Sequence, residues 1–247
     1  MDKIAVVFVL LNIWTISLAL QCTQVPGVLK QIDAANGQVF GVNSQNEIFT
    51  LYSNSWMKVP GSLTHVSVGP AGVWGVDKNY FIYKLVRGDW VIVPGKLKQI
   101  DAGGTVSPAG VNMNDDIFCL PEGKGSGWTH IPGKLKYYSC GPYSCWGVNS
   151  ADAIYIMKDV TQSSCAGSLQ WQAMSGALSM IEVSPDGQVY GVNSQGNIYQ
   201  RLGVSPDNPS GSRWSQVQYE PRASHLTYDL GHLWILNTDG SIMDCTV

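Results

Sequence analysis

Short segments of alternating apolar and polar residues recur along the chain, and residues that favour turns bound each of them. Two examples are residues 38–43 (QVFGVN) and 188–193 (QVYGVN). β-Branched and aromatic side chains dominate these segments, and Asn-Gly, Asp-Gly and Gly-Asn pairs flank them, which is typical of strands joined by hairpins. No stretch after the first twenty residues shows a sustained apolar stripe at helical spacing. The pattern therefore predicts an all-β chain.

The centre of these segments, Gly-Val-Asn, is repeated along the sequence. Four copies are intact and two are altered; they begin at positions 41, 75, 110, 147, 191 and 235, in steps of 34, 35, 37, 44 and 44 residues. A tryptophan and a Pro-Gly-x-Leu-Lys phrase precede several copies. Regular repetition near this period indicates a repeat architecture, and the strand-like chemistry favours β-blades over helical pairs.

One repeat has room for four short strands. In the third copy they are predicted at 98–102 (strand a), 105–112 (strand b), 116–120 (strand c) and 128–131 (strand d). Six such units predict a six-bladed β-propeller. The glycine of each Gly-Val-Asn would let neighbouring blades approach closely, and the strand d tryptophans would pack between sheets.

The first nineteen residues have a different composition. A short charged start is followed by a long apolar run that ends in small residues near Ala19. This pattern predicts a secretory signal peptide over residues 1–19. Residues 20–247 would then form a single exported propeller domain, with no span across a membrane.

The six cysteines agree with an oxidising destination. Cys22 takes the place that a strand d tryptophan holds in other repeats, so the N-terminal segment is expected to complete the last blade and close the ring. Aligning the other cysteines on the repeat gives a hairpin pair and a pair between adjacent blades. The alignment predicts the disulfides Cys22–Cys245, Cys140–Cys145 and Cys119–Cys165.

Composition and motifs argue against several functions. A net charge of −3 and 13% charged residues do not suit a protein that tracks nucleic-acid phosphates. No nucleophile elbow, metalloprotease motif or phosphate loop occurs, so neither an enzyme nor a cofactor is expected. Asp33, Asp101 and Glu182 align on strand a and could hold an axial cation. Hydroxyl residues at the same place in the other repeats make that alternative less favoured, and no metal is expected.

Repeated polar residues favour several similar sites for one ligand, and sugars suit such sites. Each repeat can supply an aromatic ring just before the glycine and an amide or acid just after it. A turn-capping role for the asparagines competes with this interpretation. The candidate sugar contacts are Tyr190, Asn193 and Asn197, then Trp146 with Asn149, Phe40 with Asn43, Trp74 with Asp77, and Asn112.

Blade geometry divides the turns between two rims. The d–a and b–c turns share a first rim that is nearly identical in every repeat, so repeated ligand sites are expected there. The a–b and c–d turns share a second rim, which carries the insertions 121–127, 159–169 and 203–212. A contact with another protein through these insertions is the alternative function, and a homodimer is left open.

Three stretches carry a resemblance to a known family. The Pro-Gly-x-Leu-Lys-x-Ile-Asp-Ala phrase, residues 135–149 (LKYYSCGPYSCWGVN) and residues 184–201 closely resemble the fish-egg lectins of the tectonin family, along the whole mature chain. The resemblance implies a secreted β-propeller that binds N-acetylglucosamine-type sugars and bacterial surface polysaccharide in innate defence of the egg. The last repeat departs from the family pattern, with Ile235 in place of the glycine.

Overall fold

The computed structural model describes residues 20–104, 107–121, 127–161 and 164–246. These residues form six four-stranded antiparallel sheets, and each sheet is one blade. The innermost strand of each blade contacts the innermost strand of the next, and the sixth blade contacts the first. The all-β, six-bladed propeller predicted from the repeat is therefore confirmed, whereas the predicted signal peptide lies outside the described residues.

The blades follow the order of the chain, and the N-terminal strand belongs to the last of them. Blade 1 is β2–β5, blade 2 is β6–β9, blade 3 is β10–β13, blade 4 is β14–β17, blade 5 is β18–β21, and blade 6 is β22–β24 with β1. Within each blade these are strands a to d, from the axis outwards. The strand bounds are β1 Gln21–Val28, β2 Gln31–Ala35, β3 Gln38–Val42, β4 Ile48–Tyr52, β5 Ser55–Val59, β6 His65–Gly69, β7 Gly72–Val76, β8 Phe81–Val86, β9 Asp89–Lys96, β10 Gln99–Asp101, β11 Ala109–Val111, β12 Asp116–Cys119, β13 Thr129–Lys134, β14 Tyr137–Cys140, β15 Cys145–Val148, β16 Ala153–Met157, β17 Gln172–Ala177, β18 Met180–Val183, β19 Val189–Val192, β20 Ile198–Leu202, β21 Arg213–Gln216, β22 Ala223–Asp229, β23 His232–Asn237 and β24 Ser241–Thr246.

Strand b of the third blade is shorter than predicted. The sequence pattern placed it at 105–112, but β11 covers only Ala109–Val111, and residues 105–106 lie outside the described residues. Pro108 has no main-chain N–H to donate, so a regular ladder is expected to begin only after it. The other three strands of this blade lie within two or three residues of their predicted bounds.

Three disulfides connect the two ends of the chain, one hairpin of blade 4, and blades 3 and 4. Cys22 and Cys245 face each other across β1 and β24, so the N-terminal strand completes blade 6 as predicted. Cys140–Cys145 bridges one hairpin of blade 4, and Cys119–Cys165 joins blades 3 and 4. The pairing predicted from the repeat is confirmed. The first of these disulfides spans 223 residues, a loop whose closure restricts the unfolded chain by about 5 kcal/mol in the chain-entropy model.

Neighbouring blades interlock through a leucine and a glycine. A leucine, in four Pro-Gly-x-Leu phrases and in the Ser-Gly-x-Leu of residues 175–178, lies over the glycine of Gly-Val-Asn or Gly-Val-Asp in the next blade, where a Cβ atom would collide with it. The pairs are Leu29 with Gly41, Leu63 with Gly75, Leu97 with Gly110, Leu135 with Gly147, and Leu178 with Gly191. At the sixth interface Ala223 replaces the leucine and Ile235 the glycine, and both are buried in one cluster. The large and small partners have exchanged places, which keeps the volume of the core.

A ring of hydrogen bonds joins the innermost strands around the axis. Equivalent positions of strand a are alternately acidic and hydroxyl-bearing, in the order Asp33, Ser67, Asp101, Ser139, Glu182 and Thr227. Five of these side chains accept a hydrogen bond from a main-chain N–H of the following blade, at 2.7–3.1 Å. The hydroxyl residues that stand between the acids therefore accept hydrogen bonds from main-chain N–H groups. Among the described residues, no group of three or more metal-ligating side chains occurs.

Two buried carboxyl groups share one hydroxyl within this ring. Ser139 Oγ lies 3.1 Å from Asp101 Oδ1 and 3.0 Å from Glu182 Oε1, and it already accepts the N–H of Val183. A hydroxyl has only one proton to donate, so one carboxyl must itself be protonated to bond to Ser139. Burial raises the pKa of Glu182 well above its usual range, and neighbouring carboxylates add to the rise. Burial also raises the pKa of Asp101, to about 8, so either carboxyl can be the one that donates its proton to Ser139.

Two histidines flank a tyrosine at the first-rim end of the axis. The ring of Tyr137 makes edge contacts with His65 and His225, each at 5.9 Å between centroids, and its hydroxyl lies 3.0 Å from His225 Nε2. Burial lowers the pKa of His65 to about 3 and that of His225 to about 4. Both imidazoles are therefore neutral in the folded protein.

The buried acids and histidines near the axis should make the free energy of unfolding change with pH in opposite directions. Burial, with the Asp33 charge, raises the pKa of Asp101 to about 8; an unfolded aspartate titrates near 4. Stability from Asp101 is complete below about pH 4 and is lost as the pH rises towards 8. The histidines are neutral when folded, so their contribution is lost as the pH falls below about 6.5.

In Asp101→Asn, we expect the free energy of unfolding to decrease less steeply between pH 5 and 8 than in the wild type. Its decrease at acid pH, which comes from the histidines, should remain. Denaturant unfolding across this range measures it. The exposed Asp89→Asn is the control, and it should reproduce the wild-type profile. An unchanged slope in Asp101→Asn would show that Asp101 is charged in the folded state.

The leucine–glycine contact should behave as a coupled pair. Gly147→Ala places a Cβ against Leu135 Cδ1 and 3.0 Å from the carbonyl oxygen of Tyr137, so it should cost about 1–3 kcal/mol. Leu135→Ala leaves a cavity and should cost about 2–5 kcal/mol. The double variant should lose at least about 1 kcal/mol less than the sum, because the new methyl enters the space vacated by leucine. Strict additivity in the double-mutant cycle would refute the interlock.

Candidate functional site

A glycine corner ends strand d in five blades and receives an indole from the following blade. The corner glycines have φ between 104° and 133°, a conformation that only glycine adopts without strain. A Cβ on any of them would lie within 2.8–3.6 Å of the neighbouring ring. The pairs are Gly27 with Trp56, Gly61 with Trp90, Gly95 with Trp128, Gly133 with Trp171, and Gly176 with Trp214.

Further side chains complete a recess at each of these interfaces. The preceding blade supplies an isoleucine from strand c and the interlocking leucine, and the following blade supplies the asparagine or aspartate of its b–c turn. The following blade also supplies a half-buried aromatic ring from strand c. These rings are Phe49, Tyr83, Phe118, Tyr155 and Tyr199. The same chemistry is thus repeated on the rim formed by the d–a and b–c turns, where the sequence predicted repeated sites.

Two of the recesses open into well-formed cavities. The 6/1 pocket, between blades 6 and 1, has a volume of about 230 Å³ and is lined by Gly27, Leu29, Asn43, Phe49, Trp56 and Ile242. The 4/5 pocket, between blades 4 and 5, has a volume of about 320 Å³ and is lined by Ile154, Gly176, Leu178, Asn193, Tyr199 and Trp214, with Ser194 and Gln195 at its edge.

The indole N–H groups distinguish these two pockets from the other three interfaces. Trp90, Trp128 and Trp171 each donate this N–H to a proline carbonyl of the preceding blade, at 2.8–2.9 Å. The buried N–H groups of Trp56 and Trp214 have no hydrogen-bond partner among the described residues. An unpaired buried donor costs about 1–3 kcal/mol. An acceptor that enters either pocket and reaches the N–H on a small rotation of the ring would recover this energy.

The b–c turn side chains have a structural role first. Asn193 Oδ1 accepts the main-chain N–H groups of Gln195 and Asn197, at 3.1 and 2.8 Å. Asn43, Asp77, Asn112 and Asn149 cap their own turns in the same way. The capping role that competed with sugar binding is therefore real, and in the asparagines it leaves only the amide nitrogen available for a ligand.

That amide nitrogen is engaged to a different extent in each blade. Asn43 Nδ2 donates to Glu47 Oε2 at 2.8 Å, and Lys58 holds Glu47 in place. In the other repeats with an amide or acid here, Asn112 bonds to Asp116, Asn149 lies 3.5 Å from the Tyr155 hydroxyl, and Asp77 accepts from the Tyr83 hydroxyl. Asn193 Nδ2 has no acceptor within the described part of the chain, so the 4/5 pocket offers a free amide donor.

The aromatic residues just before each glycine, which the sequence predicts as sugar contacts, do not line these two pockets. Phe40, Trp74, Trp146 and Tyr190 are buried, with at most 7% of each residue exposed. They lie on the inner strand b, where blades are close together, and they pack against the adjacent blade. Trp146 does support the 4/5 pocket indirectly, because its ring makes an edge contact with Trp214 at 5.9 Å.

The aromatic walls missed by sequence reasoning are the outer rings of strands c and d. The sequence pattern predicts that the strand d tryptophans pack between sheets, yet Trp56 and Trp214 each form one wall of a cavity. The strand c rings had a signal of their own, because an aromatic residue follows an isoleucine at five equivalent positions, from Phe49 to Tyr199. Both sets lie far from the axis, where adjacent blades diverge.

The sixth interface, between blades 5 and 6, lacks this recess. It has neither the corner glycine nor the strand d tryptophan, whose place Cys22 takes. The Tyr219 hydroxyl donates instead to Asn237 Oδ1 at 2.6 Å, and Tyr219 packs on the buried cluster there. The altered last repeat therefore removes one of six equivalent positions.

Comparison with known proteins gives one family and one close relative. The Tectonin domain family model matches residues 28–238. A fish-egg lectin from Cyprinus carpio is 58% identical over 234 residues, which are 92% of this chain and 98% of that protein.

Solved structures of similar shape are far more distant in sequence. A calcium-binding protein, regucalcin, from Agrobacterium tumefaciens is 8% identical with a TM-score of 0.62, covering 88% of this chain and 90% of that chain. A gluconolactonase from Xanthomonas campestris is 7% identical with a TM-score of 0.62, covering 92% and 89%. At this level of identity the likeness concerns the fold alone.

Proposed function

The chain belongs to the tectonin family, and on that premise we propose that it is a secreted lectin that binds N-acetylglucosamine-type sugars in the pockets between its blades. Binding is multivalent and involves no chemical turnover of the sugar. Neither a metal nor a cofactor takes part. The relative named as a fish-egg lectin, which matches nearly the whole chain, supports carbohydrate binding.

The observation that carries this proposal is the composition of the 4/5 pocket. A sugar ring needs an aromatic surface for its C–H face and a few directed polar groups for its hydroxyl and acetamido groups. Trp214 and Tyr199 supply the aromatic walls, and Asn193 supplies a free amide donor. The unpaired indole N–H of Trp214 is a second donor, suited to a carbonyl oxygen such as that of an acetamido group.

Repetition around the ring extends the same chemistry to polymeric ligands. The 6/1 pocket has the same architecture on the same rim, although Glu47 engages its asparagine. Two or more weak sites on one rigid body raise the avidity for a repeating glycan by roughly 10²–10⁴ over a single site. Bacterial surface polysaccharide is such a ligand, and recognising it would serve innate defence in the egg. The three disulfides suit an extracellular location.

We expect the wild-type protein to be retained on immobilised N-acetylglucosamine and released by the free sugar, and Asn193→Asp to weaken binding at the 4/5 pocket. Aspartate keeps the turn cap, as Asp77 does in blade 2, but it removes the NH₂ donor. Loss of one hydrogen bond predicts about a tenfold weaker Kd by calorimetry.

Asn149→Asp is the matched control for this variant. It makes the same substitution at the 3/4 interface, where the indole of Trp171 is already bonded to Pro132, so the affinity should not change. Equal Tm values would show that all three proteins fold alike. Failure of the wild type to bind the sugar would refute the lectin proposal. Unchanged binding by Asn193→Asp would refute only the placement of the site.

A further inference from the structure

A second pocket lies between blades 6 and 1 on the opposite rim, among the a–b and c–d turns. We call it the acidic pocket. Blade 6 contributes Asp229, His232, Trp234 and Asp244, and blade 1 contributes Ser53 and Asn54. Its volume is about 350 Å³, which is within the range of small-molecule sites. None of the interblade recesses described above includes these residues.

The charges of the acidic pocket are unbalanced. Two carboxylates line it, and no lysine or arginine is among its lining residues. Within the described residues, neither Asp229 nor Asp244 forms an ion pair with a lysine or arginine, and the basic residue beside Asp244 is His232, whose imidazole pairs with it. The pocket therefore presents a negative potential to a bound molecule, and a cationic group would be attracted into it.

The carboxylates are held in place by the protein before any ligand arrives. Asp229 Oδ2 accepts the main-chain N–H of Gly37 at 2.7 Å, across the seam between the two blades. Asp244 Oδ1 lies 2.7 Å from His232 Nδ1, and the imidazole stacks on Trp234 at 6.3 Å. Such preorganisation lowers the entropic cost of binding.

The remaining lining suits a ring with hydroxyl groups. Leu51, Val39 and the indole of Trp234 give the pocket an apolar side, and Ser53 and Asn54 add a hydroxyl and an amide. A linear amine would leave these polar groups without partners.

Blade 2 shows which kind of group packs over an indole at the position equivalent to Trp234. Trp74 in blade 2 occupies the register position of Trp234, and the residue paired with it across strands b and c is Lys84. The Lys84 ammonium lies 5.0 Å from the centre of the Trp74 ring, a cation–π contact. In blade 6 the paired residue is Asp244, so the chain supplies a carboxylate where blade 2 supplies the amine.

We propose that the acidic pocket binds a protonated primary amine carried on a sugar ring, which is the chemistry of a hexosamine whose amino group is not acetylated. The carboxylates of Asp229 and Asp244 bind the ammonium group, Trp234 packs against the ring, and Ser53 and Asn54 bind hydroxyl groups. The site is independent of the pockets proposed for N-acetylglucosamine, because it lies on the other rim and selects for a charge that acetylation removes.

Calorimetric titration with D-glucosamine, N-acetyl-D-glucosamine and D-glucose at pH 6 tests this proposal. In Asp244→Asn, which keeps the shape but removes the charge, glucosamine binding should weaken at least tenfold while N-acetylglucosamine binding is unchanged. Asp229→Asn should have the same effect and serves as a second variant in case the first perturbs His232. Asp239→Asn, an exposed carboxylate of the same blade on the first rim, is the control and should bind like the wild type.

Three outcomes would overturn the proposal. The first is glucosamine binding no tighter than glucose, and the second is glucosamine binding that both variants leave intact. The third is equal affinity for the linear diamine cadaverine, which would show that the pocket recognises an amine without the sugar ring. Because Asn193→Asp should not affect glucosamine binding, failure here is distinguishable from failure of the lectin proposal.

Discussion

The distance between adjacent blades depends on one contact, which at five of the six interfaces is a leucine packed on a glycine of the next blade. Because the glycine has no side chain, strand b can approach the preceding blade closely, and the leucine fills the space. This contact fixes how closely the sheets meet near the axis. It therefore also fixes how far apart they are further out, where the indoles and the strand c rings lie. The interblade pockets are a consequence of this spacing.

The axial ring of hydrogen bonds sets a second constraint, because it places carboxyl groups where water does not reach them. Buried acids are costly unless they are neutral or fully hydrogen-bonded. The alternation of acids with hydroxyl residues meets this condition: each hydroxyl serves a neighbouring acid or a main-chain N–H, and one of the two carboxyls beside Ser139 keeps its proton. The arrangement joins consecutive blades directly, and its acids make the stability of the ring sensitive to pH.

Blade 6, in which the two ends of the chain pair, contains the most altered repeat, and its seam with blade 1 has a pocket on each rim. Repeated residues give the first rim several similar recesses, which suits a polymeric ligand. On the second rim, the acidic pocket combines residues found in no other blade, such as Asp244 opposite Trp234. One seam thus presents two different chemistries on its two rims, because only the first rim is constrained by the repeated Pro-Gly-x-Leu and Gly-Val-Asn phrases.

The strands, the six blades, the closure through β1 and all three disulfides could be predicted from the sequence, because these follow from local turn chemistry and from the alignment of repeats. The sequence also indicated the capping role of Asn193 and its equivalents. Which aromatic rings are available to a ligand could not be predicted in this way, because it depends on how the blades pack. Alternation along a strand tells which side chains share a face, but in a propeller both faces of every blade are covered by neighbours. Exposure depends instead on the distance from the axis: the gap between blades widens outwards, so Tyr190 is buried while Tyr199 and Trp214 line a cavity.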